Sequence, residues 1–145
     1  MSIVDGLDFK SGQWQRKFCT GEAPSTRSSM QNVELSSRGL YLFFGGYYVE
    51  EYFNDAYLLD LSSFEWKKIS SGMAEISKRS YFSMVFDGES TYIYGGRNRT
   101  DIFDDLYKIA YASESKKLII EPIVAIGDKP SEMFGHTAII SKRSM

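Results

Sequence analysis

Short apolar runs alternate with turn-forming residues along the chain. The runs are rich in Tyr, Phe, Ile and Val, and they are separated by Gly, Ser, Asn and Asp. This pattern is typical of strands joined by turns, and helix signals are poor. Asp87-Gly88 lies between two such runs and suits a tight hairpin, because both residues tolerate positive φ. The predicted strands are 13–18, 28–35, 40–44, 56–61, 64–69, 81–86, 91–94, 106–111, 116–123 and 136–141.

The pattern of runs and turns repeats after about 50 residues. Gly45-Gly46 closes one apolar run, and Gly95-Gly96 closes another 50 residues later. The string 53–57 (FNDAY) recurs as 103–107 (FDDLY) at the same offset. Several features that share one offset indicate a repeat architecture. A tryptophan and an arginine 13 residues apart also recur, as Trp14 with Arg27 and as Trp66 with Arg79.

A third unit begins near the end of the sequence. The string 127–130 (GDKP) matches 21–24 (GEAP) at an offset of two repeats. Two positions depart from the pattern. Ile120 stands where the spacing predicts a tryptophan, and Met133 stands where it predicts an arginine.

The repeated residues suit a framework of four-stranded units. Paired glycines at the end of a strand allow positive φ and a close approach of backbones. Large aromatic residues at fixed places fill the space between adjacent units, where each buries on the order of 150–250 Å². An arginine at the start of an inner strand bonds several loop carbonyls at once. The framework positions are Trp14, Gly45, Gly46, Tyr57, Trp66, Gly95, Gly96 and Tyr107, with Arg27 and Arg79 opening the inner strands.

These residues resemble the repeats of kelch β-propeller proteins. The resemblance implies an all-β fold of kelch-type blades, each with four antiparallel strands. Since propellers use roughly 4–8 blades, a chain of under three repeats predicts an incomplete ring. Closing the ring then requires the remaining blades of the same chain or self-association. The motifs that carry the resemblance are Gly45-Gly46 with Tyr57 and Trp66, Gly95-Gly96 with Tyr107, and the incomplete Gly127, Pro130 and Gly135-His136.

The resemblance also divides the chain. Residues 1–13 are a lead-in, and residues 14–145 are the propeller segment. By the resemblance, Trp14 lies on a strand donated to a blade whose other three strands come from a more C-terminal part. Within the segment we predict a closing-blade strand at 13–20, blades at 24–70 and 76–123, and the start of a third blade at 127–145.

The composition restricts the classes of binding partner and the cellular compartment that we expect for this chain. Charge is nearly balanced, with 17 basic and 19 acidic side chains, so we predict binding to neither nucleic acid nor a membrane surface. The single cysteine, Cys19, fits a reducing compartment and is interpreted as a small apolar residue rather than a nucleophile. No pattern of a signal peptide is visible at the N-terminus. We therefore expect a cytoplasmic protein.

Function is expected on loops held by the rigid blades. The resemblance places loops 23–29, 47–54, 73–81 and 97–103 on one face. Aromatic residues mixed with charges are typical of recognition surfaces, although packing under the loops and solvation are the alternatives. The candidate partner-binding residues are Tyr47, Tyr48, Glu50, Glu51, Tyr52, Arg97, Asn98 and Arg99.

For the remaining candidate residues, a structural role is favoured over a role in binding or catalysis. Arg27 and Arg79 are possible ligand-binding residues at the propeller mouth, but their recurrence at the framework spacing favours a structural role. His136, the only histidine, is interpreted as a packed residue. One histidine and one cysteine cannot assemble a multi-histidine centre, so we predict no metal, no cofactor and no catalytic residue in this segment.

The leading functional hypothesis is a protein-protein interaction module. By its resemblance to kelch proteins, the propeller acts as a scaffold or adaptor through its loops. The alternative is part of a kelch-fold enzyme, such as a metal-dependent oxidase, a lyase or a sugar epimerase, whose catalytic residues lie in other blades.

Overall fold

A computed structural model of the chain describes residues 2–69 and 75–141. Every regular element named in this part of the chain is a β-strand, so the predicted all-β class is confirmed. The predicted blade ends at residues 70 and 142–145, and residues 73–74 of the predicted loop 73–81, lie outside the described residues. The strands are β1 (Ser2–Asp8), β2 (Gln13–Gly21), β3 (Gln31–Ser36), β4 (Leu40–Phe44), β5 (Tyr47–Tyr48), β6 (Glu51–Tyr52), β7 (Ala56–Asp60), β8 (Glu65–Ile69), β9 (Ser83–Phe86), β10 (Thr91–Tyr94), β11 (Leu106–Ala112) and β12 (Lys117–Ile123).

Four strands form the first blade in the order β3-β4-β7-β8, with antiparallel pairing throughout. The central strand β7 is buried from Ala56 to Leu59. Because successive side chains of a strand point to opposite faces, this strand has protein on both sides. Ala56 and Leu58 pack towards the second blade, whereas Tyr57 and Leu59 pack on the opposite face.

The second blade repeats this arrangement in the order β12-β11-β10-β9. The predicted hairpin at Asp87-Gly88 is present between β9 and β10. The Asp87 carboxylate accepts hydrogen bonds from the backbone N–H groups of Glu89 and Ser90, at 2.8 and 2.7 Å. This turn shapes the innermost hairpin of the blade. The predicted architecture of four-stranded antiparallel blades in an incomplete ring is confirmed.

The main hydrophobic core lies between the two blades. Phe44 of β4 and Phe82, just before β9, meet edge to face with ring centroids 5.4 Å apart. Both side chains are almost fully buried. The other buried members of this cluster are Val33, Leu42, Ala56, Leu58, Ile69, Ile76, Met84, Ile93, Ile109 and Leu118.

The glycine pairs bring successive blades into backbone contact. Gly45 has φ 67°, and a Cβ there would lie 2.8 Å from the carbonyl oxygen of Arg79. The next glycine, Gly46, donates its N–H to the same oxygen at 2.9 Å. In the second repeat, Gly96 donates its N–H to the carbonyl oxygen of Met133 at 2.8 Å. The predicted close approach is therefore made to the first residues of the following repeat.

The N-terminal segment differs from its sequence interpretation. Residues 2–8, taken as part of a lead-in, form β1 and pair along their length with β2. β2 then joins the outer strand of the first blade in parallel, at Thr20 opposite Glu65 and at Gly21 opposite Trp66. The hairpin covers the face of the first blade that carries Tyr57 and Leu59, where Cys19 is buried.

The two repeat tryptophans have different environments. Trp66 is 6% exposed and packs on Phe43 with ring centroids 4.9 Å apart. Trp14 is 71% exposed and stands opposite Leu7 on the outward face of the N-terminal hairpin. Trp14 therefore shares the repeat spacing of Trp66 but not its buried packing.

Within residues 127–141, the described part of the third repeat, backbone contacts are present but no strand is. The predicted strand 136–141 is wrong, because no described strand lies beside it to complete a ladder. Met133 nevertheless occupies the backbone place of Arg79, since its N–H donates to the carbonyl oxygen of Phe103 at 3.3 Å. His136 is held by a 2.9 Å hydrogen bond between its Nε2 and Ser83 Oγ.

Inner strands β3 and β9 begin later than predicted. Ser29 and Tyr81, which lie within the predicted strands 28–35 and 81–86, have positive φ values of 53° and 56°. A positive φ is incompatible with a regular strand, so the ladders begin two residues after Ser29 and Tyr81, at Gln31 and Ser83. Within the described residues, no helix is long and apolar enough to cross a membrane.

Candidate partner-binding face

Antiparallel pairing sorts the connections of the blades to two ends. β4 ends at the first glycine pair, beside the starts of β3 and β7, and β10 ends at the second pair, beside the starts of β9 and β11. The long connections therefore lie at one end of the blades. We call this end the loop face, and it comprises residues 22–30, 45–55, 75–82, 95–105 and 124–136. Short turns at 37–39, 61–64, 87–90 and 113–116 lie at the other end.

An ion pair between Arg27 and Asp55 holds the loop face of the first blade, and we call such an arginine–aspartate pair a lock. The guanidinium makes two hydrogen bonds to the carboxylate, one of them between Nη2 and Oδ2 at 3.2 Å. It also donates to the carbonyl oxygen of Gly45 at 3.3 Å and lies over the ring of Phe53, 3.7 Å from the centroid. Tyr57 donates its hydroxyl to Asp55 at 2.9 Å.

Burial and these hydrogen bonds shift the pKa values of Asp55 and Tyr57. Burial acts to raise the pKa of Asp55, but hydrogen bonds from Arg27 and Tyr57 outweigh burial and hold the pKa below its usual value. Burial and the hydrogen bond to Asp55 raise the pKa of Tyr57 to about 12. Asp55 is therefore held as a carboxylate and Tyr57 as a neutral phenol.

Arg79 and Asp105 form the same lock in the second blade. Arg79 Nη1 and Nη2 donate to the two carboxylate oxygens at 2.5 and 2.8 Å. Nη1 also donates to the carbonyl oxygen of Gly95 at 2.9 Å, and the guanidinium lies 4.0 Å from the centroid of the Phe103 ring. The side chains of Arg27 and Arg79 are 2% and 0% exposed. This geometry supports the structural role of both arginines over ligand binding at the mouth.

The 47–54 loop of the first blade folds into a small hairpin of β5 and β6. Tyr47 pairs with Tyr52, and Tyr48 pairs with Glu51. The rings of Tyr47 and Tyr52 are stacked with centroids 5.7 Å apart. At the tip, Tyr48 is 53% exposed and Val49 is 76% exposed. The hairpin thus presents apolar surface on a short, paired support.

Four aromatic rings form a continuous strip across the loop face, which we call the aromatic strip. From Tyr52 it passes through Tyr47 to Tyr81, whose ring centroid is 5.6 Å from that of Tyr47. The hydroxyls of these two tyrosines are 3.2 Å apart. Phe134 of the third repeat continues the strip, 6.4 Å from Tyr81. Three repeats therefore supply one aromatic surface.

A groove of about 680 Å³ separates the β5–β6 hairpin from the corresponding loop of the second blade. Glu50 and Arg99 form an ion pair across it at 3.3 Å. Their side chains are 74% and 72% exposed, so breaking this ion pair costs little free energy. The residues that line the groove are Tyr48, Val49, Glu50, Glu51, Tyr52, Lys78, Asn98, Arg99 and Thr100.

Arg97 stands beside the groove at the place that Tyr47 occupies in the preceding repeat. Its backbone is fixed on both sides by bridges to Ser80 and Ile102. Its guanidinium lies over the ring of Phe134, 5.1 Å from the centroid. Among residues 2–69 and 75–141, Arg97 has no carboxylate within ion-pair distance, unlike Arg27, Arg79 and Arg99. It is a fixed cation next to the aromatic strip.

The structure brings the eight candidate residues together on one face. Tyr48, Glu50, Glu51, Tyr52, Asn98 and Arg99 line the groove, whereas Tyr47 and Arg97 pack beside it. Sequence reasoning missed Tyr81 and Phe134, which complete the strip, and Val49, Lys78 and Thr100, which line the groove. The loops predicted for this face, 47–54, 73–81 and 97–103, contain Val49, Lys78, Tyr81 and Thr100, but no repeated pattern in the sequence distinguished these residues.

Metal chemistry has no support among the described residues. No group of three or more His, Cys, Asp or Glu in the described ranges is arranged to hold a metal ion. The predictions of no metal and no cofactor remain predictions, as does the alternative of an enzyme with its site in other blades. His136 packs edge to face on Tyr94, with ring centroids 5.7 Å apart, as its interpretation as a packed residue expects.

Comparison with known proteins covers nearly the whole chain. The family model described as the KLHDC2/KLHL20/DRC7 Kelch-repeats domain matches residues 3–145. The chain is 27% identical over 146 residues to the Host cell factor homolog hcf-1 of Caenorhabditis elegans. That alignment covers 90% of this chain and 18% of the relative, so the chain corresponds to a small part of that protein.

Proposed function

Because the chain belongs to the kelch-repeat domain family, we propose that it binds a protein partner through its loop face. Kelch-repeat domains are commonly protein-interaction modules, and this likeness supports the class of function. The observation that carries the proposal for this chain is the groove of about 680 Å³ beside the aromatic strip. The blades supply a rigid support, and the loops supply the contacts.

Binding uses two kinds of contact. Exposed Tyr48 and Val49, with the edge of the strip at Tyr81 and Phe134, give apolar anchors to a partner. Aromatic side chains and arginine are enriched at the energetic centres of protein interfaces. The fixed guanidinium of Arg97 and the weakly paired Glu50 and Arg99 then select the charge pattern of the partner.

The finer role that we propose is that of a scaffold or adaptor acting in the cytoplasm. The supporting observations are a single cysteine, a nearly balanced charge and, within the described residues, no group of His, Cys, Asp or Glu that could hold a metal ion. An adaptor needs a surface that holds a partner without changing it chemically. The loop face meets that need with aromatic and charged groups.

The test is a comparison of captured proteins. The tagged chain, the variant Tyr48→Ala/Arg97→Ala and the control variant Arg38→Ala/Glu89→Ala are expressed in the same cells and purified under the same conditions. Arg38 and Glu89 are exposed residues in the turns at the opposite end of the blades. We expect a set of proteins that bind the original chain and the control but are lost from the loop-face variant.

The proposal fails if both variants retain the same proteins, or if only the control loses them. Chemical denaturation of all three proteins must accompany the capture. Each substituted residue is at least partly exposed, so the free energies of unfolding should agree within about 1 kcal/mol.

A further inference from the structure

The groove on the loop face contains charges of both signs, and only some of them are paired. Glu50 and Glu51 come from the β5–β6 hairpin, whereas Lys78 and Arg99 come from the loops of the second blade. Arg99 is paired with Glu50. Among residues 2–69 and 75–141, neither Glu51 nor Lys78 has an ion-pair partner. One acid and one base are therefore available in the same groove.

Lys78 is held at the groove by hydrogen bonds of the backbone on both sides of it. Before it, the carbonyl oxygen of Ile76 accepts a 3.1 Å hydrogen bond from Asn54 Nδ2, and the Ile76 side chain is fully buried. After it, the N–H of Arg79 donates to the carbonyl oxygen of Phe53 at 3.0 Å. Lys78 itself is exposed. Its ammonium group is therefore carried by a fixed backbone.

The two walls of the groove are formed before any partner binds. Glu51 pairs with Tyr48 in the β5–β6 hairpin. On the opposite wall, Asn98 Oδ1 accepts hydrogen bonds from the N–H groups of Thr100 and Asp101, at 2.9 and 2.8 Å, so this turn is closed. A preformed site loses little conformational freedom on binding, which favours affinity.

The groove belongs to a single contact between neighbouring blades. Its walls are loops of the first and second blades, which pack directly on each other through Phe44 and Phe82. A backbone hydrogen bond from Gly46 to Arg79 joins the same two blades. Further blades of a ring adjoin the other faces of these two blades, so they do not form the walls of this groove.

We propose that the groove binds an extended segment of a protein partner in which a basic and an acidic residue are close neighbours. This binding mode rests on the function proposed above and adds the chemistry of the partner. Glu51 binds the basic side chain and Lys78 the acidic one, while the exposed tip at Tyr48 and Val49 contacts an apolar side chain. Successive side chains of an extended segment point to opposite sides, so neighbouring basic and acidic residues reach different loops of the groove. The groove volume of about 680 Å³ lies within the range of pockets that hold a ligand.

The charges of the groove disfavour a partner of a single sign. A purely acidic segment would lie against Glu50 and Glu51, and a purely basic one against Lys78 and Arg99, so each meets like charges. The ion pair between Glu50 and Arg99 strengthens this preference, because an occupant that separates the two must supply a partner to both. Nucleic acids and anionic lipid surfaces carry one sign of charge and do not fit.

Selection from a library of random peptides displayed on phage tests the charge of the partner. With the unchanged chain as bait, we expect enriched peptides to carry a basic and an acidic residue within about two positions of each other, beside an apolar residue. Glu51→Lys gives the groove an excess of positive charge and should shift the enrichment to acidic peptides. Lys78→Glu gives it an excess of negative charge and should shift the enrichment to basic peptides. The exchanged variant Glu51→Lys/Lys78→Glu keeps both signs and should again select mixed peptides.

Glu89→Lys is the matched control, because Glu89 is exposed in a turn at the other end of the blades. It should select the same peptides as the unchanged chain. A peptide selected by the unchanged chain is then synthesised, and its basic or its acidic residue is replaced by glutamine. Each replacement should weaken binding in calorimetry by about two- to fivefold, which corresponds to the loss of one exposed ion pair.

The inference is overturned if the enriched peptides carry one sign of charge or none, or if no peptide is enriched. It is also overturned if a single groove variant, folded by circular dichroism, selects the same peptides as the unchanged chain. The same shift in Glu89→Lys would assign the enrichment to the net charge of the chain and would overturn it as well. These results are separate from the capture experiment with the Tyr48 and Arg97 variant, so the proposed function can stand when this inference fails. Since the two single variants shift the enrichment in opposite directions, either one decides the case if the other does not fold.

Discussion

Arg27 in the first blade and Arg79 in the second lie 52 residues apart and make equivalent contacts. Each guanidinium binds a carboxylate at two points, donates to a glycine carbonyl and lies over a phenylalanine ring. The tips of the adjacent loops differ. The first blade has a paired hairpin with Tyr47, and the second has Arg97 at the equivalent place. Positions that repeat hold the blades, and positions that do not repeat are available for recognition.

The two blades also differ in how their central strands are covered. β7 is buried on both faces because the second blade lies on one side and the N-terminal hairpin on the other. In β11 only Ile109 is fully buried. The N-terminal hairpin therefore takes the place of a neighbouring blade on one face of the first blade.

The largest expected effect comes from filling the contact between the blades. In Gly45→Val, the new side chain meets the Arg79 carbonyl and the Phe82 ring, and φ is 67°. We expect a loss of about 4 kcal/mol in the free energy of unfolding, or failure to fold. Gly6→Val is the control, since nothing lies within 4 Å of its Cβ position. Equal stability of the two variants in urea would contradict the role of the glycine pair.

The next effect tests whether the two locks are equivalent. Arg79→Met leaves Asp105 without its partner and should cost about 3 kcal/mol. Arg27→Met should cost less, because the Arg79 backbone bonds to Phe53 and Gly46 of the first blade while its side chain bonds to the second, so that its loss disturbs both blades. Since part of the loss comes from the orphaned carboxylate, Arg79→Met/Asp105→Asn should be more stable than Arg79→Met. A double variant no more stable than the single one would contradict this account.

A smaller effect appears at alkaline pH. The pKa of Tyr57 is raised from 10.0 to about 12 in the folded chain, so its neutral form is favoured there. Its contribution is complete below pH 10 and is lost as pH rises towards 12. In Tyr57→Phe, the decline in stability between these pH values should be shallower. Tyr107→Phe, at the equivalent position, should change the slope in the same direction, because burial raises that pKa as well. Identical pH profiles for Tyr57→Phe and the unchanged chain would refute the assignment.

The smallest effect concerns the loop tips. Glu50→Gln removes the exposed ion pair with Arg99 and should change the free energy of unfolding by about 0.5 kcal/mol or less. Arg99→Gln is the matched variant, and the two together form a double-mutant cycle. A coupling above about 1 kcal/mol would mean that the loop tips share in the framework.

Sequence periodicity predicted the blades well because the blades are themselves periodic. The glycine pairs, Tyr57 and Tyr107 lie where their spacing placed them, and the Arg27 and Arg79 contacts follow from the same repeat. Trp14 shows the limit of this reasoning. Its spacing matched Trp66, but it lies on a hairpin whose first strand contains Gly6 and two aspartates and has no strong strand pattern. Pairing with β2 stabilises that strand, and pairing is a tertiary effect.

The candidate face could be predicted only in part. Its loops were predicted from the resemblance, and the eight candidate residues lie on or beside the groove. The aromatic strip could not be predicted, because its rings come from three consecutive repeats and meet only once those repeats are packed together. Tyr81 and Phe134 join the strip in this way. Tyr81 depends on a backbone conformation with φ 56°, which is uncommon for an aromatic residue and is not visible in a pattern of apolar positions.

The backbone bonds from Gly46 to Arg79 and from Gly96 to Met133 have a consequence for how the chain opens. Each joins the end of a second strand to the first residues of the following repeat. Nearest-neighbour coupling of this kind makes a repeat array behave as a one-dimensional chain, in which opening spreads from unit to unit. The amide hydrogen of Gly46 should therefore exchange with solvent at a rate set by the second blade, although the residue belongs to the first.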